Sequence, residues 1–230
     1  MYASENKFGS NVRIVEDGPD FIKGLVAPAV NANGHEYVDL GLPSGTLWAT
    51  CNIGATSPEE YGDYFMWGST TPDTNNTCDW AHAPFNGGSS SFDRTYFNEH
   101  KSEWLDGDVL KPEYDAAHVN MGGDWRMPTH EDCAELTNNT TWVWTQLNGV
   151  NGRLFTSNAN GNTMFIPASG LRFDTSVNTK GSRAYLWSSS LDAAHPGYAW
   201  ELYFNSGYVG PAYGGDYYLG YCVRGVISPN

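Results

Sequence analysis

The 230-residue sequence predicts an α+β fold, in which short helices precede a series of short antiparallel strands. Helix-capping signals near residues 57 and 129, and strand-like patterns after Trp142, carry this prediction. The size agrees with it, because a 25.3 kDa chain buries about 70% of the surface that its unfolded form exposes. Aromatic residues make up 14% of the chain, which excludes a disordered solvating protein, since such chains cannot bury enough apolar surface.

We divide the chain into an N-terminal arm, residues 1–33, and a body, residues 34–230. Residues 11–15 of the arm have the pattern of a strand. The pattern G-x-x-V-R-x-V in residues 9–15 recurs in residues 220–226. This match is either a coincidence or a sign that the arm is the last strand of a preceding copy in a tandem repeat.

The body opens with two predicted strands. Residues 35–40 alternate as a half-buried strand does, and a turn at residues 42–45 leads into residues 46–50. Residues 73–112 carry Asn, Ser, Gly and scattered aromatics with weak periodicity, so we expect mainly a long surface loop there.

Two helices are predicted from their start signals. Ser57 and Pro58 begin the first, and Glu60 is placed to complete a capping box. Thr129 caps the second, whose first turn is acidic and so complements the positive end of the helix dipole. The apolar side of this second helix is formed by Cys133, Ala134 and Leu136.

The second half of the body predicts strands. Residues 153–156 and 163–166 flank Asn160-Gly161, a dipeptide typical of hairpin turns. Further strands are predicted at residues 184–188, 198–204, 208–209 and 221–226.

The charge of the chain argues against two classes of partner. With 12 Lys and Arg against 26 Asp and Glu, the net charge is −14, and the cations are nowhere clustered. Such a chain cannot neutralise a run of phosphates, so we expect no nucleic-acid partner, and an anionic membrane surface is disfavoured for the same reason. No apolar run approaches the roughly 20 residues that span a bilayer, so we expect no direct membrane insertion.

The common catalytic and metal-binding motifs do not occur in the sequence. Nucleophile-elbow, phosphate-loop, dinucleotide, zinc-protease and calcium-loop patterns are missing, and the six histidines are dispersed. We therefore assign no catalytic residue, no metal site and no cofactor. The four cysteines lie far apart, and we expect ordinary buried thiols, although their even number permits two disulfides.

The segment near the C-terminus is the most informative. No Lys or Arg occurs between Arg183 and Arg224, and residues 185–221 contain eight of the 14 tyrosines. With the surrounding Trp, Asn, Gly and Ser residues, this composition is typical of antibody binding loops, where Tyr gives a large contact area at low entropy cost. The alternative is that the aromatics only fill β-strands, where they are favoured. Residues 210–218 are rich in turn residues, so we expect them at the surface, where repeated Tyr favours binding.

Several motifs occur in one order along the body, in residues 35–55, 61–68, 122–129, 165–170, 187–190 and 223–224. In these segments the body resembles, over about residues 35–226, the FISUMP (major paralogous) domain of surface proteins from gut-dwelling Gram-negative anaerobes. The box Trp125-Arg126-Met127-Pro128-Thr129 is also similar to the formylglycine-generating (sulfatase-modifying) family. These resemblances imply a C-type-lectin-like fold with two short helices, a small twisted and mostly antiparallel sheet, and chain ends that lie close together.

The same fold and a similar C-terminal layout occur in the variable proteins of diversity-generating retroelements, where surface positions in the last strands and loops are diversified for ligand binding. By position, this resemblance implies a fixed frame of Trp187, Ser188, Leu202, Phe204, Val209, Val223 and Arg224. It implies ligand-binding display positions at Tyr198, Trp200, Tyr203, Asn205, Tyr208, Tyr213, Asp216, Tyr217 and Tyr218.

The sequence also departs from the patterns of these families. The formylglycine-generating enzymes use a cysteine pair near the C-terminal end, whereas only Cys222 stands there in this chain. Calcium-dependent sugar lectins use Glu-Pro-Asn or Gln-Pro-Asp together with Trp-Asn-Asp, and none of these occurs. Cys133 occupies a place where the family usually has a large aromatic residue.

We expect a non-enzymatic recognition module, extracellular or at the cell surface, that binds a protein or glycan ligand on another cell or virus. Residues 1–5 lack the character of a signal peptide, so a secretion or lipoprotein signal is absent or was removed. The alternative is an architectural or adhesin segment of a tandem-repeat surface protein, which would self-associate through its aromatics. A third hypothesis, an enzyme of the formylglycine type, needs a reactive second thiol close to Cys222.

Overall fold

The computed structural model describes residues 30–75 and 77–228. The strand expected at residues 11–15 lies outside these residues, and so does the first occurrence of the G-x-x-V-R-x-V pattern. The described part is mostly antiparallel β-structure with few helices, which agrees with the predicted α+β class.

The described residues contain three α-helices, one short 3-10 helix (Pro112–Tyr114) and fourteen strands. The helices are α1 (Arg94–Trp104), α2 (Ala116–Met121) and α3 (His130–Asn138). The strands are β1 (Val30–Ala32), β2 (His35–Val38), β3 (Leu47–Ala49), β4 (Leu105–Asp106), β5 (Val109–Leu110), β6 (Thr140–Leu147), β7 (Val150–Ser157), β8 (Thr163–Pro167), β9 (Leu171–Phe173), β10 (Ser176–Asn178), β11 (Arg183–Leu191), β12 (Tyr198–Asn205), β13 (Val209–Asp216) and β14 (Val226–Ile227).

The central sheet has the strand order β13-β12-β11-β5-β4 and lies between two hydrophobic clusters. The first core is mainly aromatic and includes Trp67, Phe97, Trp104, Tyr185, Trp187, Tyr203 and Tyr217. The second core joins the sheet to α3, β7 and β8 and includes Cys133, Leu136, Phe155, Leu186, Leu202 and Phe204. Strands β11 and β12 therefore bury both of their faces, with alternate side chains in alternate cores.

A second sheet holds the two ends of the body side by side. Strands β2 and β14 both pair with β3, so that Trp48 has Val38 on one side and Val226 on the other. Trp48 itself is completely buried in the second core. The first and last strands of the body are thereby fixed to one another through β3.

The helix predicted from residues 57–60 does not form, and this prediction is wrong. Half of the predicted capping box exists, because Glu60 accepts a hydrogen bond from the Ser57 backbone N–H at 3.3 Å, and it also accepts one from the Thr56 N–H at 2.6 Å. The chain turns soon afterwards at Gly62, whose φ of 75° lies in the left-handed region. A Cβ at Gly62 would lie 2.4 Å from the Ile53 carbonyl oxygen, so the turn also requires close backbone approach.

The expectation of a long loop in residues 73–112 is confirmed for the first part, because the described residues before Arg94 form no helix or strand. It is wrong for the second part, which contains α1, β4 and β5. Asp93 caps α1 by accepting a hydrogen bond from the Tyr96 backbone N–H at 2.9 Å. Phe97 and Trp104 lie seven residues apart on one side of this helix and are buried in the first core.

The predictions for α3 and for the β7–β8 hairpin are confirmed. The Thr129 hydroxyl accepts from the Asp132 N–H at 3.2 Å, and the Asp132 carboxylate accepts from the Thr129 N–H at 2.8 Å, which completes a capping box. Cys133 and Leu136 are buried as expected. Strands β7 and β8 pair antiparallel around Asn160-Gly161.

Residues 210–218 form more strand than turn, because β13 runs to Asp216 along the outer edge of the central sheet. Its pairing register shifts between Gly210 and Tyr213, and Pro211 falls within this irregularity. Proline is compatible with this place because an edge strand or bulge does not need every N–H for the ladder. The Gly- and Pro-rich sequence therefore makes an outer strand.

Candidate functional site

Strand alternation divides the predicted display positions between the two faces of the central sheet. Tyr203 belongs to the first core, whereas its neighbours Leu202 and Phe204 belong to the second. Tyr198 and Trp200 share the alternation of Leu202 and so lie on the second-core face. The nine predicted positions therefore do not form one continuous surface.

Three tyrosine rings on the first-core face form a group that we call the tyrosine patch: Tyr203, Tyr208 and Tyr213. The ring centroid of Tyr203 lies 6.1 Å from that of Tyr208 and 4.9 Å from that of Tyr213, and the last two are 6.0 Å apart. These separations are typical of interacting aromatic pairs. Tyr208 is 46% exposed and Tyr213 is 50% exposed, whereas Tyr203 is buried beneath them. Tyr185 of β11 continues the row at 5.2 Å from Tyr203.

Polar groups border the tyrosine patch. The side-chain amide of Asn205 donates to the Tyr203 hydroxyl at 2.8 Å, and the exposed guanidinium of Arg183 donates to the Tyr185 hydroxyl at 3.4 Å. The Asn205 backbone carbonyl is held by Arg153, whose Nε and Nη2 donate to it at 3.0 and 2.6 Å. The border thus offers an amide and a guanidinium beside the exposed rings.

A buried carboxyl group lies beside the patch. Glu201 faces Tyr213 directly across the β12–β13 ladder. Burial raises the pKa of Glu201 to about 8, and a hydrogen bond from the Tyr221 hydroxyl opposes part of this effect. Gly215 leaves space for the pair, because a Cβ there would meet Tyr221 Oη at 2.6 Å and Glu201 Oε2 at 2.7 Å. Glu201 is therefore mainly neutral at pH 7. Burial disfavours the charged form of a carboxyl group when no cationic partner offsets it.

The second-core face carries a separate pair of display positions near the start of β12. The ring of Trp200 lies 4.7 Å from that of His130 in α3. Tyr198 is 38% exposed, and the ring of His195 lies 6.1 Å from it. His195 Nδ1 is in turn 2.9 Å from Asp192 Oδ2. The structure thus brings Tyr198 and Trp200 together with two histidines, away from the tyrosine patch.

The last three predicted positions, Asp216, Tyr217 and Tyr218, lie at the end of β13. Tyr217 is not at the surface. Tyr217 is completely buried, and its ring stacks on Trp67 with a centroid separation of 4.8 Å. The expectation of an outward-facing side chain is therefore wrong for Tyr217, and it is also wrong for the buried Tyr203. Tyr218 is half-buried, 4.9 Å from the ring of Trp80, and burial raises the pKa of the half-buried Asp216. The chain turns inward here because aromatic side chains gain more by packing in the first core.

The predicted frame is buried as expected, apart from Val209, which is half-buried. The buried members are Trp187, Ser188, Leu202, Phe204, Val223 and Arg224. Trp187 Nε1 donates to the Phe65 carbonyl at 2.8 Å, and Ser188 Oγ donates to the Trp200 carbonyl at 2.7 Å. The first bond joins the central sheet to the segment that contains Phe65, and the second ties β11 to β12 within the sheet.

Arg224 is a fully buried cation near the chain end. Its guanidinium donates to Asn52 Oδ1 at 2.8 Å, to the Thr50 carbonyl at 2.7 Å and to the Phe165 carbonyl at 3.0 Å. Burial lowers the pKa of Arg224 to about 10, so it remains charged at pH 7. The residue links β3, β8 and the C-terminal segment through backbone carbonyls.

All four cysteines are free thiols; Cys78, Cys133 and Cys222 are buried as expected, whereas Cys51 is half-buried. Cys222 is buried, and its Sγ donates to the Tyr61 carbonyl at 3.1 Å. Burial raises the pKa of the Cys222 thiol to about 12, which suppresses thiolate formation near neutral pH. Among the described residues, no group of three or more His, Cys, Asp and Glu side chains is placed to hold a metal ion.

A cleft of about 530 Å³ lies away from all nine predicted display positions. Its lining includes His35, Cys51, Asp63 and Asn120. Burial raises the pKa of the Cys51 thiol, so it is not an activated nucleophile. No sequence motif indicated this cleft, which is lined by residues 34–36, 49–56, 63 and 120–121.

Sequence reasoning also missed three members of the patch environment: Arg183, Tyr185 and Glu201. They belong there because β11 and β12 pair in register, with Tyr185 opposite Tyr203. The period-2 alternation could have separated Tyr198 and Trp200 from Tyr203 and Asn205, but no local signal shows which strands are neighbours.

Within residues 30–75 and 77–228, no helix is long and apolar enough to cross a membrane. Comparison of the chain with protein-family models, with curated proteins and with solved structures finds no match.

Proposed function

We propose that this chain is a non-enzymatic recognition module of the cell surface, which presents the tyrosine patch to a protein or glycan ligand. The observation that carries the proposal is the pairing of two half-exposed rings, Tyr208 and Tyr213, with a sheet that is buried on both faces behind them. Tyr rings combine a large contact area with few rotatable bonds, so a ligand orders them at low entropy cost. Their position on a packed sheet lowers this cost further.

The chemistry of the patch border suits a ligand that has both apolar and polar groups. Rings can stack against sugar or aromatic surfaces, while the hydroxyls, the Asn205 amide and the Arg183 guanidinium supply hydrogen bonds. Both ligand classes fit this description.

A C-type-lectin-like fold is part of the same proposal. The pairing of β2 and β14 with β3 supports it, because that fold brings its chain ends together. Burial of the six frame residues supports the likeness to the variable proteins of diversity-generating retroelements. A near-copy of the 3′ coding region that differs only at adenines would support diversification of the patch, and a genome without one would oppose it.

The buried thiol of Cys222 favours recognition over oxidase chemistry. Formylglycine-type chemistry uses a reactive cysteine pair, whereas Cys222 is enclosed and donates to a backbone carbonyl.

The direct test compares the binding of wild type with that of a double variant of the patch and a single control variant. Wild type, Tyr208→Ala/Tyr213→Ala and Tyr198→Ala are applied to a printed glycan array and to immobilised surface proteins of gut bacteria and their viruses. We expect the double variant to lose at least about tenfold in affinity for whichever probe wild type binds. Tyr198→Ala is the matched control, because it removes a similarly exposed ring from the other face of β12. Equal binding by the double variant and wild type would refute recognition through the patch, and so would wild type that binds no probe.

A further inference from the structure

Strand β6 is a long outer strand with apolar side chains in solvent. It forms one edge of the three-stranded sheet β6-β7-β8 and pairs with β7 along all eight of its residues. No described residue pairs with its other edge. Val143 is 58% exposed and Trp142 is 36% exposed.

This edge lacks the features that normally prevent sheet-to-sheet association. Such features are Lys side chains, Pro, bulges and very short strands. Strand β6 is regular, has no charged residue and has no Pro. The uncharged stretch extends over residues 136–152, although the chain as a whole carries −14. Strand β6 itself therefore brings no like charges together when a second copy of the chain approaches this edge.

The order of side chains in β6 is the same in both directions about Val143. Residues 141–145 read Thr-Trp-Val-Trp-Thr. In an antiparallel pair of two identical strands with a two-fold axis at Val143, each Val143 faces the other, and Trp142 faces Trp144 of the second copy. Thr141 faces Thr145 of the second copy in the same way. Aromatic–aromatic and Thr–Thr pairs are favourable cross-strand partners.

The tryptophan rings are already ordered for such a pairing. The Arg153 guanidinium lies 4.5 Å from the ring centroid of Trp142 and 5.9 Å from that of Trp144. Trp144 also packs against Phe204, with ring centroids 6.5 Å apart. Little side-chain freedom is therefore lost when a second strand is added.

We propose that two copies of this chain associate edge to edge through β6, antiparallel, about a two-fold axis at Val143. The association joins two three-stranded sheets into one continuous sheet. A symmetric contact of this kind is isologous and closes at two copies. Because one strand pair buries a small area, below about 1,200 Å² in total, the dimer is reversible and depends on concentration. The proposal does not depend on the tyrosine patch, which lies on another sheet.

The experiment uses the charge at position 143 as a probe of the axis. Wild type, Val143→Lys and Val143→Glu are studied as full chains by sedimentation velocity over a concentration series. Wild type is expected to show a monomer–dimer equilibrium. Each variant alone is expected to dimerise at least about tenfold more weakly, since like charges then face each other. An equimolar mixture of V143K and V143E is expected to regain the dimer, because opposite charges now meet at the axis.

Val119→Lys is the matched control, since Val119 is similarly exposed but belongs to α2. It should dimerise as wild type does, and circular dichroism should show the same fold for all variants. A monomeric wild type throughout the series, dimers that survive in both charge variants, or a mixture that stays monomeric would each overturn the proposal.

Discussion

Tyr213 lies directly opposite Glu201 across the β12–β13 ladder, so the most exposed ring of the tyrosine patch neighbours an almost completely enclosed carboxyl group. The two residues share one face of the sheet but have contrasting surroundings. Tyr213 is at the outer edge, whereas Glu201 is enclosed with Tyr221 next to Gly215.

The enclosure of Glu201 makes folding stability sensitive to pH. Its pKa is about 8 in the folded chain and about 4.3 when unfolded. Between these values the unfolded state loses the proton first, so the contribution that is present below about pH 4 is lost as pH rises towards about 8. We expect the stability advantage of Glu201→Gln over wild type to grow by up to roughly 5 kcal/mol as pH rises through this range. Urea denaturation at a series of pH values measures the difference, and parallel curves for the two proteins would contradict it.

The space beside Gly215 is required by the same pair. Gly215→Ala places a methyl group against Tyr221 Oη and Glu201 Oε2, and we expect a loss of about 1–3 kcal/mol. Gly207→Ala is the control, because its nearest neighbour would be Asn205 Oδ1 at an ordinary 3.7 Å. The control should stay within about 1 kcal/mol of wild type. Thermal unfolding compares the two, and equal effects would show that the contact is not limiting.

Tyr217 and Tyr213 should behave as core and surface residues, respectively. Tyr217→Ala removes a buried ring that stacks on Trp67, and we expect the free energy of unfolding to fall by about 3–5 kcal/mol. Tyr213→Ala removes a half-exposed ring and should cost about 1 kcal/mol or less. Chemical denaturation distinguishes the two; a mild Tyr217→Ala variant would argue against its place in the first core.

Removal of the Arg224 guanidinium should destabilise the fold strongly. Arg224→Ala leaves Asn52 Oδ1 and the Thr50 and Phe165 carbonyls without their donor, and we expect a loss of about 3 kcal/mol or more. Arg183→Ala, at the exposed patch border, should leave the unfolding midpoint unchanged. Similar midpoint shifts for the two variants would contradict a structural role for Arg224.

Elements with local signals could be predicted from the sequence, and those that depend on tertiary contacts could not. The capping box of Thr129 and Asp132 involves residues three apart, so α3 was identifiable. The start of a helix at Ser57 was equally clear, but Gly62 turns the chain, and its close approach to Ile53 is visible only in three dimensions. Helix α1 was missed because its few apolar residues, such as Phe97 and Trp104, are diluted by polar ones.

In the candidate site, too, the sequence indicates what composition reveals but not what depends on tertiary contacts. The abundance of Tyr near the C-terminus directed the prediction to the region of β12 and β13, and the predicted positions included all three rings of the tyrosine patch. Composition did not show that Tyr217 follows the end of β13 and packs inward. Glu201 was missed because only the pairing of β12 with β13 places it opposite Tyr213.

The position of the central sheet between two cores has a consequence for how this protein tolerates sequence change. Most side chains along β11 and β12 are locked by neighbours on both sides, so replacements there must preserve volume. Tyr208 and Tyr213 lie at the outer rim, where about half of each side chain faces solvent, so replacements there disturb fewer contacts. We therefore expect the rim to accept substitutions that the two cores do not.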